Sequence, residues 1–198
     1  MKADFTSSYV QSLIGSQTFD FIHASPVCRT YSRLAGGVHR TKDNYNKSSD
    51  SHSADAMLLQ LYFFIVEALK KSSDTTVTIE NPSTGYMKHS KIISLLETEH
   101  GFKRYDIFYC QFGRAEQKPT SIWTNDDTLG RVLIKIGGKC KCIGKHEEGV
   151  KVNNDKNFSA LPIKLCQIIS DYVQSKHQSL KFKRFASKCN EEETDEQV

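Results

Sequence analysis

The chain has 198 residues, 38% of them apolar, which suffices for one layered domain with a core and leaves little for a second. Its 27 Lys and Arg against 23 Asp and Glu give a formal charge of +4, a balance that permits nucleic-acid binding without making the chain a polycation. The longest apolar run, Met57 to Leu69, is interrupted by Gln60 and Glu67 and is too short to span a bilayer, so no membrane segment is expected.

Six cysteines at irregular spacings, with no leading signal segment, read as thiols of a reducing compartment, cytoplasmic or nuclear; a viral or phage gene product would look the same. Residues 1–180 are expected to form a single α/β domain, and 181–198 a basic then acidic disordered tail.

Phe19 to Ala24 reads as a short strand buried on both faces and stopped by Ser25-Pro26. The polar stretch Arg33 to Ser53 is longer than a connection needs and reads as a functional or disordered loop. Ser53 is the expected cap of a helix to about Lys71, with Asp55 in its first turn and Met57, Leu61, Ile65 and Leu69 on one face. Thr75 to Ile79 is the next strand, ending at Glu80-Asn81-Pro82. Strand, helix and strand form a βαβ unit that would bring Cys28 and Glu80 out at the carboxyl ends of parallel strands.

A second crossover has a helix from His89 to His100, a stop at Gly101 and a strand over Lys103 to Cys110. The segment QFGRAEQKPTSIWTN is then expected as a loop on the same rim, where open α/β sheets bind ligands. Farther on, Arg131 to Ile136 reads as a strand, KCKCIGKHEEG as a glycine-rimmed turn, and Leu161 to about Lys176 as a helix with Pro162 in its first turn.

Cys28, on the loop after a strand, is a candidate nucleophile. A buried structural thiol is the bland alternative. Glu80 shifts the balance, because a carboxylate at a sheet edge needs compensation for desolvation unless it binds something. No histidine is placed beside Cys28 by the pattern: His23 lies inside the strand, and His52, His89 and His100 lie in segments of unfixed relation. A protease is therefore not expected. A thiol and a carboxylate do suit attack on an electron-poor heterocycle.

Ser25-Pro26-Val27-Cys28 with Ser32 resembles the Pro-Pro-Cys motif of the cytosine-C5 DNA methyltransferases, specifically the compact phage and viral forms. Glu80-Asn81-Pro82 resembles their Glu-Asn-Val motif, and Phe112-Gly113 with Gln117-Lys118-Pro119-Thr120 resembles their Gly-x-Pro-Gln-x-Arg-x-Arg motif. The resemblance covers about Phe19 to Asn125. It implies a three-layer Rossmann-like methyltransferase fold with a mostly parallel sheet, truncated at the N-terminus. Cys28 would add to the cytosine ring, Glu80 and Asn81 would hold the base, and Lys118 would help position it. S-adenosylmethionine would give the methyl group. The base would be flipped out of DNA, with Arg29, Ser32, Arg33, Arg40, Lys42 and Arg114 on the nucleic acid.

The chain departs from the family pattern at several points. Val27 replaces the second proline, and Lys118 and Thr120 replace two arginines and their planar forks. Only Met1 to Thr18 precedes the Cys28 strand, with Gly15 its sole glycine, so the glycine-rich cofactor turn is missing. A second polypeptide completing the cofactor site, a fragmentary chain and a non-catalytic nucleic-acid-binding or assembly module are the competing explanations.

Cys140, Cys142 and His146, with Cys110 or a second histidine, have the side chains of a zinc site. The spacing alone is weak, and a surface turn with incidental thiols is the reading preferred. The aromatics Tyr105, Phe108, Tyr109 and Phe112 read mainly as core, whereas Trp123 is better placed for a ligand. The run KFKRFASK offers phosphate contacts or a nuclear address.

Overall fold

The computed structural model describes residues 12, 16–33, 37–143, 146 and 160–195, with side chains in the last segment described to Lys181. Phe21–Ala24 is β1, and its partner β2 spans Thr76–Pro82, a β-branched run buried almost throughout. The helix between them, α1, spans Ser49–Lys71. Its cap is Ser48, five residues earlier than the Ser53 the sequence suggests, because Ser48 and Ser51 cap each other's backbone in a reciprocal box. Asp55 is thereby moved out of the first turn and freed for another partner.

After β2, Ser90 caps α2 (Lys91–His100), and Gly101 ends it in the left-handed conformation at φ 69°. Strand β3 spans Lys103–Phe108 and passes into a 3-10 turn, Tyr109–Phe112. Strand β4 spans Pro119–Thr124, helix α3 Asp127–Gly137 and helix α4 Ile163–Asp195.

The four strands lie in the order β1-β2-β4-β3. Only β1 and β2 pair in parallel; β4 runs antiparallel to both β2 and β3. The expected mostly parallel sheet is thus corrected to a mixed α/β sheet with mainly antiparallel pairing. The cause is local: Pro119–Thr124, read as a rim loop, returns along β3 as a strand, and a short return connection requires antiparallel pairing.

Two apolar layers enclose the sheet. Val77 and Ile79 face Leu58, Leu61 and Ile65 of α1 and Ile93 and Leu96 of α2. Ile107 and Ile122 face Leu129 and Leu133 of α3 and Leu165 and Ile169 of α4. The two-residue period of the strands assigns each side chain to one layer or the other.

Arg131 to Ile136, expected as a strand, lies within α3. Asp126 caps it by accepting from Leu129 N at 3.1 Å, and the same carboxylate accepts from Tyr172 and Lys176 of α4. Gly130 and Gly137 let α3 lie close: a Cβ at Gly130 would come within 2.1 Å of the Tyr105 ring. Helix α4 runs past Lys176 to Asp195 where the sequence suggests a tail; residues 176–195 contain neither glycine nor proline to stop it.

Candidate functional site

Because β1 and β2 are parallel, with Ala24 beside Ile79, both leave the sheet at one edge. Cys28 lies four residues beyond β1, while Glu80, Asn81 and Pro82 carry β2 past the end of its neighbour. Strand β3 ends and β4 begins at this edge as well, since Phe108 pairs with Pro119. Tyr109 and Lys118 are therefore delivered to the same rim.

Asn81 is fully buried and holds the β1 loop down: its Nδ2 donates to the Pro26 carbonyl at 3.2 Å. A second tie runs from Tyr86 N to the Tyr31 carbonyl at 2.8 Å. Gly85 makes this approach possible, since a Cβ there would stand 3.1 Å from both the Pro82 and the Tyr31 carbonyl oxygens. The Asn81 Oδ1 is buried with no hydrogen-bond partner among the described residues.

Glu80 is 5% exposed, so its carboxylate needs compensation. Tyr109 supplies it by donating its hydroxyl to Oε1 at 2.8 Å, and Lys118 Nζ stands 3.7 Å from the same oxygen. The ammonium also lies 4.6 Å from the centre of the Tyr109 ring. Lys118 holds a φ of 25°, a conformation that costs a non-glycine residue about 1–3 kcal/mol and that its surroundings must enforce. Burial, and then the Glu80 charge, push the Tyr109 hydroxyl far above its ordinary pKa, so it stays a donor.

Cys28 is exposed, yet partial burial of its thiol raises the pKa; the Glu80 charge raises it further and Lys118 opposes both. The resting group is a neutral thiol within electrostatic reach of a carboxylate and an ammonium. Together these side chains offer a nucleophile, an acceptor and a cationic donor to a flat polar molecule entering at the rim. His23 does not serve Cys28 as a base: its ring is bonded to Thr78 and Ser25 at 2.8 and 3.0 Å, and burial holds its pKa at about 4.

The other expected site residues are dispersed. Arg29 is exposed and pairs with Asp50 at the start of α1. Ser32 is half-buried, Lys42 is exposed, and Arg33 stacks 5.6 Å from the Tyr86 ring centre. Arg114 makes a forked contact with Glu116 at 3.1 and 3.3 Å.

Arg40, expected on the nucleic acid, is buried at 2% exposure. Its guanidinium bonds Asp55 at 2.7 Å and the Thr30 and Ser51 carbonyls at 3.0 and 3.3 Å, and lies 4.1 Å from the Tyr31 ring centre. It braces the polar loop internally. Trp123, expected near a ligand, is 1% exposed and donates to Glu97 at 3.0 Å, so it belongs to the core.

Sequence reasoning missed the role of Tyr109, which it placed in the core with its neighbours. The usable signal was its place at the C-terminal end of a strand whose end lies on the rim. A separate cluster was also underweighted: Cys110 comes together with Cys140, Cys142 and His146. Gly15 and residues 182–188 of the basic run lie outside the residues whose side chains are described.

No helix among the described residues is long and apolar enough to cross a membrane, and the five described cysteines are all free. Compared with protein-family models, curated proteins and solved structures, the chain matches none of them.

Proposed function

We propose that the rim binds a cytosine base turned out of DNA and that Cys28 adds to it, as in the cytosine-C5 methyltransferases whose motifs the chain resembles. The observation that carries this reading is the joining of three separated motifs at one edge: Asn81 ties down the Cys28 loop, and Glu80 is flanked by Tyr109 and Lys118. In the proposed step the Cys28 thiol loses its proton to solvent, and Sγ bonds C6 of the ring. The C5–C6 π pair shifts to form a C4–C5 double bond as the C4–N3 π pair moves to N3, which takes a proton from solvent. The Glu80 carboxylate accepts from that N3–H and from the 4-amino group. Reversal returns the N3 proton to solvent, breaks the C–S bond and restores the ring and the thiol. Extrusion of the base costs a few kcal/mol and least at a mismatch, so an unpaired cytosine is the favoured substrate.

S-adenosylmethionine supplies the methyl group in that family. The residues present do not fit it: β1 is followed by Ser-Pro-Val-Cys, β2 by Ser-Thr-Gly-Tyr, β3 by Tyr-Cys-Gln-Phe-Gly and β4 by Asn-Asp, none a glycine-rich cradle. No methyl-transfer step is derived. The raised pKa of Cys28 favours a second reading, in which the same rim binds the base without covalent chemistry.

Alkylation of Cys28 by iodoacetamide, followed by peptide mass spectrometry, tests base binding. DNA with an unpaired cytosine is expected to protect Cys28, and DNA with an unpaired thymine to protect it less. Equal alkylation with and without either DNA would refute both readings.

A further inference from the structure

We propose that Cys110, Cys140, Cys142 and His146 form a tetrahedral zinc site that fastens the segment after α3 to the end of β3. The four ligand atoms all lie within 4.8 Å of one another, although Cys110 is thirty residues from Cys140. Two pairs already have the spacing of a tetrahedron's edges. Thiolates about 2.3 Å from zinc stand about 3.8 Å apart, and a thiolate and an imidazole nitrogen about 3.5 Å. Here Cys110 Sγ is 3.7 Å from Cys140 Sγ, and Cys140 Sγ is 3.3 Å from His146 Nε2. A disulfide would need sulfurs about 2.05 Å apart.

The donor set selects the metal class. Three thiolates and one imidazole suit zinc, and with no oxygen ligand among the four they do not suit calcium or magnesium. Gln111 provides outer support, since its Nε2 donates to Cys142 Sγ at 3.3 Å and to Cys110 Sγ at 3.6 Å. Such N–H···S contacts orient thiolates and offset their charge. Four protein ligands close the coordination sphere, which makes the site structural. Cys110 follows Tyr109 directly, so the metal would brace the turn that presents the Tyr109 hydroxyl to Glu80.

The test is metal analysis of the full chain, purified under reducing conditions with added zinc and passed through gel filtration. About one zinc per chain is expected. Cobalt(II) in its place is expected to give the intense visible bands of tetrahedral coordination, with thiolate charge-transfer absorption in the near ultraviolet. Cys110→Ser should cut that charge-transfer intensity by about one third and weaken zinc binding by more than about 100-fold, beyond the loss of an outer-shell partner. Cys166→Ser, at an exposed position of α4, should change neither. A wild-type chain that retains no zinc, a weak octahedral cobalt spectrum, or Cys110→Ser binding zinc like the wild type would overturn the assignment. The first two readouts need no variant to fold.

Discussion

Replacing Arg40 by alanine separates a bracing arginine from one that contacts nucleic acid. The change removes two bonds to the Asp55 carboxylate, at 2.7 and 3.3 Å, and leaves the Thr30 and Ser51 carbonyls without this donor. A buried acceptor left unpaired costs about 1–3 kcal/mol. The Asp55 side chain is 39% exposed, so the ion pair itself adds no more than about 1 kcal/mol. With each of the two carbonyls at the lower end of that range, the sum is about 3 kcal/mol, a large share of the roughly 5–15 kcal/mol that holds a domain together. For a chain of this size it corresponds to a fall in Tm of about 6–12 °C. Arg40→Lys keeps the charge but loses the fork, and should recover only part of the loss. Thermal unfolding by circular dichroism reads the effect, with DNA binding measured at a temperature where both proteins are folded. A Tm within about 2 °C of wild type together with weakened DNA binding would refute the bracing role.

Three further outcomes follow from the same contacts. Gly130→Ala should destabilise the fold by about 1–3 kcal/mol through collision with Tyr105, outweighing the roughly 1 kcal/mol that alanine adds to an exposed helix; chemical denaturation checks the sign. Glu80→Gln removes a charge that raises the Cys28 pKa, so Cys28 should alkylate faster near pH 7.5, while Lys118→Met should slow it; the gain in thiolate exceeds the loss of intrinsic nucleophilicity. Burial works to raise the pKa values of Asp55 and Asp126, but bonds from Arg40, Tyr31 and Asn46 to the first, and from Lys176, Leu129 N and Tyr172 to the second, leave both below the ordinary range. Their stabilising contribution is complete above the unfolded value of about 4 and disappears as pH falls through the lower folded values, so an acid titration should show unfolding starting below about pH 4 and shifted upward by Lys176→Met.

The first half of the fold was legible because its signals agree with one another. A Ser-Pro stop, a helix with a four-residue apolar period, a β-branched strand and a terminating glycine each reinforce the next, whereas the helix cap lies at Ser48 and not at Ser53. The second half misled for reasons visible in its residues. The run Val-Leu-Ile-Lys-Ile is short enough to fit either period, and only Asp126 with Leu129 and Leu133 marks it as a capped helix. Thr120 to Thr124 looked like a ligand loop because its neighbours Lys118 and Pro119 matched a motif. The rim was legible as a set of strand ends, whereas its electrostatics were not: no local pattern announces that Tyr109 and Lys118 share one oxygen of Glu80. Burial of Arg40 was equally hidden, since its partners come from the Thr30 turn and from α1. The thiol cluster escaped because Cys110 reaches it from a different element.

Addition of Cys28 to a base held at the rim would leave a covalent bond that trapping detects. DNA carrying a mismatched 2-pyrimidinone, a cytosine analogue that accepts a thiol at C6 without methyl transfer, would be incubated with the full chain at increasing pH and resolved under denaturing conditions. A denaturation-resistant complex is expected that grows as pH rises toward the Cys28 pKa, maps to Cys28 by mass spectrometry and is lost in Cys28→Ser. Binding of that DNA without any complex, up to the pH at which Cys28 is readily alkylated, would contradict covalent addition and leave the rim as a binding surface alone.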